Sequence, residues 1–196
     1  RLKLMIYLDH AATSLPKPEP VVLAVTAAMN CLGNSGRGAH SASLGASRMI
    51  YETREALCDF FGGDGPEQVA FTPNATAALN TVIQGILNPG DRAVTTAMEH
   101  NSVLRPLYRM EKQGVSLSIV PADETGCLSM ERLEQELKPG TKALFCTHAS
   151  NVTGNANDLK TIGKMCRDRG ILFVADVSQS AGILPIHMKD MGIDIL

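Results

Sequence analysis

The sequence predicts an α/β fold: a three-layer, mostly parallel sheet flanked by helices. Three observations carry this. Short apolar runs alternate with helix-length segments through the last two thirds of the chain. The runs at 143–146 and 171–175 are continuously apolar rather than alternating, as strands buried on both faces are. Four polar clusters, at 74–76, 99–100, 148–151 and 176–179, each follow a strand-like run. Crossover connections gather such clusters on one edge of a parallel sheet, where α/β proteins place their sites.

The stretch from Ala143 to Ile183 reads most clearly as a β-α-β unit. Its first strand ends in Thr147-His148-Ala149-Ser150-Asn151. A helix then begins within 155–158, runs to about Arg169 and is closed by Gly170. The second strand ends in Asp176, Ser178 and Gln179, and Asp176 and Gln179 are the strongest site candidates.

Upstream, an apolar run at 5–8 precedes Pro16, Pro18 and Pro20, which block regular helix and central strand. Residues 21–30 predict a helix whose ordinary role is packing. Glycines 33, 36 and 38 open a loop containing Arg37 and His40, which can meet an anion or cap the next helix. That helix spans about 43–61, with Ile50, Leu57, Phe60 and Phe61 as expected core contacts. A short strand at 69–71 and a turn at Pro73-Asn74 lead to a helix at 75–87. Asn74, Ala75 and Thr76 then stand at a helix N-terminus, where unpaired N–H groups and a hydroxyl can seat a phosphate. An ordinary capped helix gives the same pattern.

The next strand runs toward Glu99-His100-Asn101, and a helix of mixed polarity spans 102–113. Residues 115–129 alternate as an exposed or edge strand does and then enter a loop. A short helix at 130–137 carries Glu131, Glu134 and Glu136 as surface charge. The last residues, Gly192-Ile193-Asp194-Ile195-Leu196, read as the start of another strand. With an Arg at position 1, this leads us to expect an N-terminal piece of a longer protein.

Composition narrows the classes. A chain of 196 residues can bury a sizeable core, filled by aliphatic side chains because aromatics are 4% and Trp is absent. A net charge of -2 gives no reason to expect nucleic acid or an anionic membrane as partner. No apolar run reaches the ~18 residues of a membrane span. Five cysteines without CxxC spacing read as reduced thiols of a cytoplasmic protein, with no metal framework.

Among chemistries for the strand ends, His100, His148 and Asp176 could ligate a metal by type, but their spacing matches no zinc motif. A Ser-His-Asp hydrolase lacks its GxSxG elbow. A phosphorylated aromatic cofactor fits better. It needs a helix terminus for phosphate, a ring to stack on and a carboxylate for a basic ring nitrogen.

The residues YLDHAAT at 7–13, GNSGRGAH at 33–40, FTPNATAALN at 71–80, MEHNS at 98–102, HASNVTGN at 148–155 and DVSQSAG at 176–182 together resemble the class V aminotransferase family of pyridoxal-phosphate enzymes, most closely the cysteine desulfurases. The resemblance implies the large domain of an aspartate-aminotransferase-like transferase. Residues 1–20 would be an N-terminal segment and 21–196 most of the cofactor-binding domain, with the small domain absent. It implies pyridoxal 5'-phosphate as cofactor, with Ala75 and Thr76 donating to the phosphate. His100 would stack on the ring and move protons. Asp176 would pair with the ring nitrogen and Gln179 with the phenolic oxygen. Asn151 would lie near the cofactor hydroxyl and, with Arg37, on the substrate side.

The resemblance further implies a homodimer and conversion of L-cysteine to L-alanine, with sulfur passed to an enzyme persulfide and on to an acceptor protein. Selenocysteine lyase, epimerase-like and aminotransferase activities share these features, and a non-catalytic cofactor-binding or interaction domain is the reading of a different class. The family's Schiff-base lysine lies in a Ser/Thr-Gly-His-Lys sequence that these residues do not contain, and Lys189 lacks that context, so the 196 residues alone are expected to be inactive. Gly36 stands where many relatives carry a His.

Overall fold

A computed structural model describes residues 6–196. The apolar run at 5–8 lies partly outside the described residues, and its described part, from Ile6, is irregular. The chain forms two compact units. One holds residues up to Phe60 together with Asp64–Val69; the other holds Phe61–Gly63 and Ala70–Leu196.

The first unit is helical. Helix α1 spans Glu19–Cys31, with Pro20 in its first turn. The expected helix is there, but its expected packing is not. No α1 residue is buried, and Leu23 and Met29 are 62% and 82% exposed. The run is apolar nearly all round, so its pattern selects no single inward face.

Helix α2 spans Ser41–Phe61. Its buried positions are the small residues Ser43, Ala46 and Cys58; Ile50 and Phe60 are exposed, while Leu57 and Phe61 are half-buried. The Gly33–Gly38 loop explains the small inner face, because it lies directly on the first turns. Gly33 N donates to Ala42 O at 3.1 Å, Ser43 Oγ to Arg37 O at 2.9 Å and Ser47 Oγ to Ser35 O at 2.8 Å. Gly38, at φ +105°, takes a backbone shape that favours glycine. His40 takes the capping role, accepting from Ser43 N at 3.4 Å.

The second unit is built on a four-stranded sheet of β1 (Arg92–Thr96), β2 (Ser116–Val120), β3 (Thr141–Thr147) and β4 (Leu172–Asp176). The order is β2-β1-β3-β4 and every pair is parallel. Five helices accompany it: α3 (Ala75–Ile86), α4 (Asn101–Lys112), α5 (Met130–Glu136), α6 (Leu159–Arg167) and α7 (Met188–Met191). Side chains alternate across the strands. Ala93, Ala143, Phe145 and Val174 face Leu79 and Ile83 of α3 and Val103 and Leu107 of α4. Val94, Leu144, Cys146 and Phe173 face Leu133 of α5 and Leu159, Ile162 and Cys166 of α6. The result is the expected three-layer parallel α/β architecture. After β2 the chain returns to the opposite side of β1, so the topological switch point lies between β1 and β3.

Local corrections have physical reasons. Residues 69–71 are irregular and Phe71 is half exposed; no neighbour supplies a ladder to so short a run among the described residues. Helix α6 starts at Leu159, not within 155–158. Asn157 N donates to His148 O at 2.8 Å and Asn155 Nδ2 to Thr125 O at 2.7 Å, so these residues bind the loop instead, and Asp158 caps the helix. Glu136 is half-buried and pairs with Arg92 at 2.8 Å rather than standing as free surface charge. Strand β2 is the edge strand anticipated from its alternation. Ile195 lies parallel beside β4, its carbonyl accepting from Ala175 N at 2.9 Å.

Candidate active site

The start of α3 follows from Asn74. Its backbone is extended and its side chain accepts from Ala77 N at 2.8 Å, an N-cap that stops the helix extending backwards. The N–H groups of Ala75 and Thr76 therefore open outward with no partner inside the helix. The Thr76 hydroxyl reaches Ser102 Oγ at 2.8 Å, and Ser102 Oγ lies 2.8 Å from His100 Nδ1. Ser102 N also donates to His100 Nδ1, at 3.1 Å. This makes Nδ1 the accepting nitrogen and puts the ring proton of neutral His100 on Nε2. His100 is at once the N-cap of α4 and the end of a hydroxyl relay from α3.

Asp176 is the last residue of β4, is 9% exposed, and is the register partner of Thr147. Its Oδ1 accepts from both Ser178 N, at 3.0 Å, and Ser178 Oγ, at 2.6 Å. That leaves Oδ2 open to a cationic donor. Asp176 and Ala75 line one cavity of about 240 Å³, whose other walls include Ala78, Val177 and Ala181. Thr76, His100 and Ser102 line a second cleft of about 300 Å³ together with Arg105 and Arg109. The two share the N-terminus of α3.

The structure thus brings Ala75 to Asp176 and Thr76 to His100. Asn151 is exposed in the turn after β3, and Gln179 is half-buried in the turn after β4; neither lines these two cavities. Arg37 is exposed in the other unit. Lys189, on α7, is exposed.

Two residues of this region were not singled out as site residues by the sequence. Ser102 links α3 to His100; its signal was a hydroxyl two positions after a capping histidine. Glu99 is 7% exposed at the end of the β1 segment. Its Oε1 accepts from Thr96 Oγ1 at 2.7 Å and Thr147 N at 2.8 Å, while its Oε2 is buried without a partner. Burial pushes its carboxyl up to about 8, against its two hydrogen bonds and with the Asp176 charge adding to the rise. Nearby, His148 has a buried Nδ1 without a partner, and burial lowers its basicity. Cys146, fully buried on β3, is pushed well above the usual thiol range by the same cause.

A helix terminus aimed at a cavity that also holds a carboxylate with a free oxygen agrees with the comparisons. The aminotransferase class-V family matches residues 6–196. The chain belongs to the class V aminotransferase family. It is 36% identical over 191 residues to a probable cysteine desulfurase of Methanothermobacter thermautotrophicus, covering 96% of this chain and 47% of that protein. A probable cysteine desulfurase of Pyrococcus abyssi is 34% identical over 98% of this chain and 48% of its own length. The apo cysteine desulfurase of Thermococcus onnurineus superposes with a TM-score of 0.89 at 35% identity, covering 96% of this chain and 48% of that one. The chain spans about half the length of the relatives it matches.

Pyridoxal 5'-phosphate is the cofactor of this class V family, and the donor set of this chain fits it. Outward N–H groups and a hydroxyl suit a phosphate, apolar walls suit a pyridine ring, and a buried carboxylate with one uncommitted oxygen suits a protonated ring nitrogen. Among the described residues no helix is long and apolar enough to cross a membrane.

Proposed function

We propose that residues 21–196 are most of the cofactor-binding domain of a pyridoxal-phosphate-dependent cysteine desulfurase, which takes L-cysteine to L-alanine and passes the sulfur to an enzyme thiol. The observation that carries this reading is the shared cavity of Ala75 and Asp176, with Asp176 Oδ2 uncommitted. The bound cofactor supplies an electron sink for the substrate α-carbon. Ala75 N, Thr76 N and the Thr76 hydroxyl hold its phosphate. Asp176 keeps the ring nitrogen protonated, and the Asx turn with Ser178 fixes the rotamer that aims Oδ2. His100, held by Ser102, presents Nε2–H toward the ring side of the cleft and can give or take a proton there. Gln179 addresses the phenolic oxygen, and Asn151 the substrate carboxylate.

The names of the relatives support cysteine as substrate. Among the described residues no lysine lines either cavity, and turnover is assigned to the full-length protein. A homodimer in the cytoplasm, delivering sulfur to an acceptor protein, completes the proposal. The test is an assay of the full-length protein loaded with pyridoxal phosphate. Stoichiometric alanine and sulfide from L-cysteine in the presence of a reductant are expected. Racemisation, amino transfer or selenocysteine cleavage without cysteine turnover would replace the desulfurase reading, and no cofactor uptake would leave a non-catalytic domain.

A further inference from the structure

The topological switch point holds a group to which the roles above assign no task. Glu99 leaves the end of β1 and reaches across to β3, where Thr147 N donates to its Oε1 at 2.8 Å. Thr96 Oγ1 donates to the same oxygen at 2.7 Å. One oxygen therefore has two donors, and the other, Oε2, is buried with none. Thr147 is in register with Asp176, so the two carboxyl groups stand on either side of the end of β3, one after β1 and one on β4.

A buried carboxylate with a bare oxygen and a second carboxylate for a neighbour is costly. A proton on Oε2 removes both penalties, because Oε1 remains the acceptor for its two donors and the charge repulsion with Asp176 disappears. Among the described residues, the ionisable groups coupled to Glu99 are Asp176 of β4 and Cys146 of β3, and Cys146 stays a neutral thiol in its apolar setting. Among the described residues no cation offsets the charge of an ionised Glu99.

We propose that Glu99 is a positioning residue of the cofactor site: a neutral carboxyl that ties the end of β1 to the end of β3 and leaves the negative charge at this junction to Asp176. Its proton sets how much negative charge the cofactor ring nitrogen feels. With Glu99 neutral, the ring is paired to one carboxylate. Were Glu99 to lose the proton, a second negative charge would stand across the end of β3 from Asp176, and a ring nitrogen held by Asp176 would feel both. This rests on the cofactor role assigned to Asp176 above, but the protonation state of Glu99 does not.

The experiment therefore has two arms on the full-length protein. The first uses infrared spectroscopy without added cofactor, comparing wild type with Glu99→Gln. A protonated-carboxyl band is expected at pH 6 that fades on alkaline titration and is missing in E99Q. The second follows the visible spectrum of the protein loaded with pyridoxal phosphate from pH 6 to 9.5. Wild type is expected to show a spectral step whose midpoint coincides with loss of the infrared band, and E99Q to keep the low-pH spectrum without that step. A merely structural role would not move such a midpoint. Should E99Q not fold, coincidence of the two wild-type midpoints supports the proposal, and separation by more than a pH unit overturns it. Absence of the infrared band at pH 6, or an unchanged step in folded E99Q, also overturns it. Failure to take up the cofactor with the infrared band present would instead sink the assigned function and leave the neutral Glu99 standing.

Discussion

The hydroxyl of Thr76 lies 2.8 Å from that of Ser102, joining the first turn of α3 to the first turn of α4. Through Ser102 the contact extends to His100 Nδ1, a further 2.8 Å. The N-terminus of α3, proposed above as the phosphate seat, and an imidazole on α4 are thereby linked by a single buried hydroxyl.

Ser102→Ala removes both hydrogen bonds while leaving the backbone N–H bond to His100. We expect a loss of about 1–2 kcal/mol in unfolding free energy. Cofactor affinity should fall several-fold, because the Thr76 rotamer and the His100 ring are both released. Denaturant unfolding and a pyridoxal-phosphate titration of the full-length protein measure the two effects.

Asp176→Asn keeps the shape of the β4 end but takes away the charge offered to the ring nitrogen. A charge-assisted bond of about 2 kcal/mol corresponds to roughly a 30-fold weaker Kd for the cofactor. The visible spectrum should shift as well, since the ring nitrogen loses its reason to stay protonated. Affinity and spectrum unchanged from wild type would remove Asp176 from the site.

Glu99 gives the stability of the domain a pH dependence of definite sign. Its carboxyl is raised from 4.5 in the unfolded chain to about 8 in the fold. Between those values the unfolded state releases a proton that the folded state keeps, so stability is full at low pH and is lost as pH rises through the folded value. For one such group the slope approaches 1.4 kcal/mol per pH unit. Chemical denaturation across pH 5 to 8 should show this decline in wild type and a flatter profile in E99Q.

Gly163 lies on the inner face of α6, where a Cβ would stand 1.7 Å from the Met191 carbonyl oxygen and 2.8 Å from its carbon. Both obstacles are backbone, so α7 must move to admit a methyl group. Gly163→Ala should cost about 1–3 kcal/mol, with the damage at the α6–α7 contact and the cofactor affinity little changed. Thermal unfolding and amide exchange on α7 report it.

The parallel sheet was legible in the sequence because its strands are short, apolar and bounded by polar ends. The capped start of α3 was legible for a similar reason: Asn74 is a strong cap directly before an Ala-rich helix. Residues 69–71 misled because three apolar residues make a strand only when a neighbour pairs with them. Helix α1 misled in burial, since its apolar run defines no inward face. Asn155 and Asn157 bind the loop through side-chain and backbone bonds that local propensity does not register. Glu99 was visible as a polar residue at a strand end, but its burial depends on β1 lying beside β3, a fact of strand order rather than of local sequence. Ser102 likewise gains its meaning only when α3 and α4 lie side by side.

The most direct measurement is a crystal structure of the full-length protein with pyridoxal 5'-phosphate. The phosphate is expected on the N–H groups of Ala75 and Thr76, and the ring nitrogen within hydrogen-bond distance of Asp176 Oδ2. A cofactor bound with its phosphate elsewhere, or with its ring nitrogen facing away from Asp176, would contradict it.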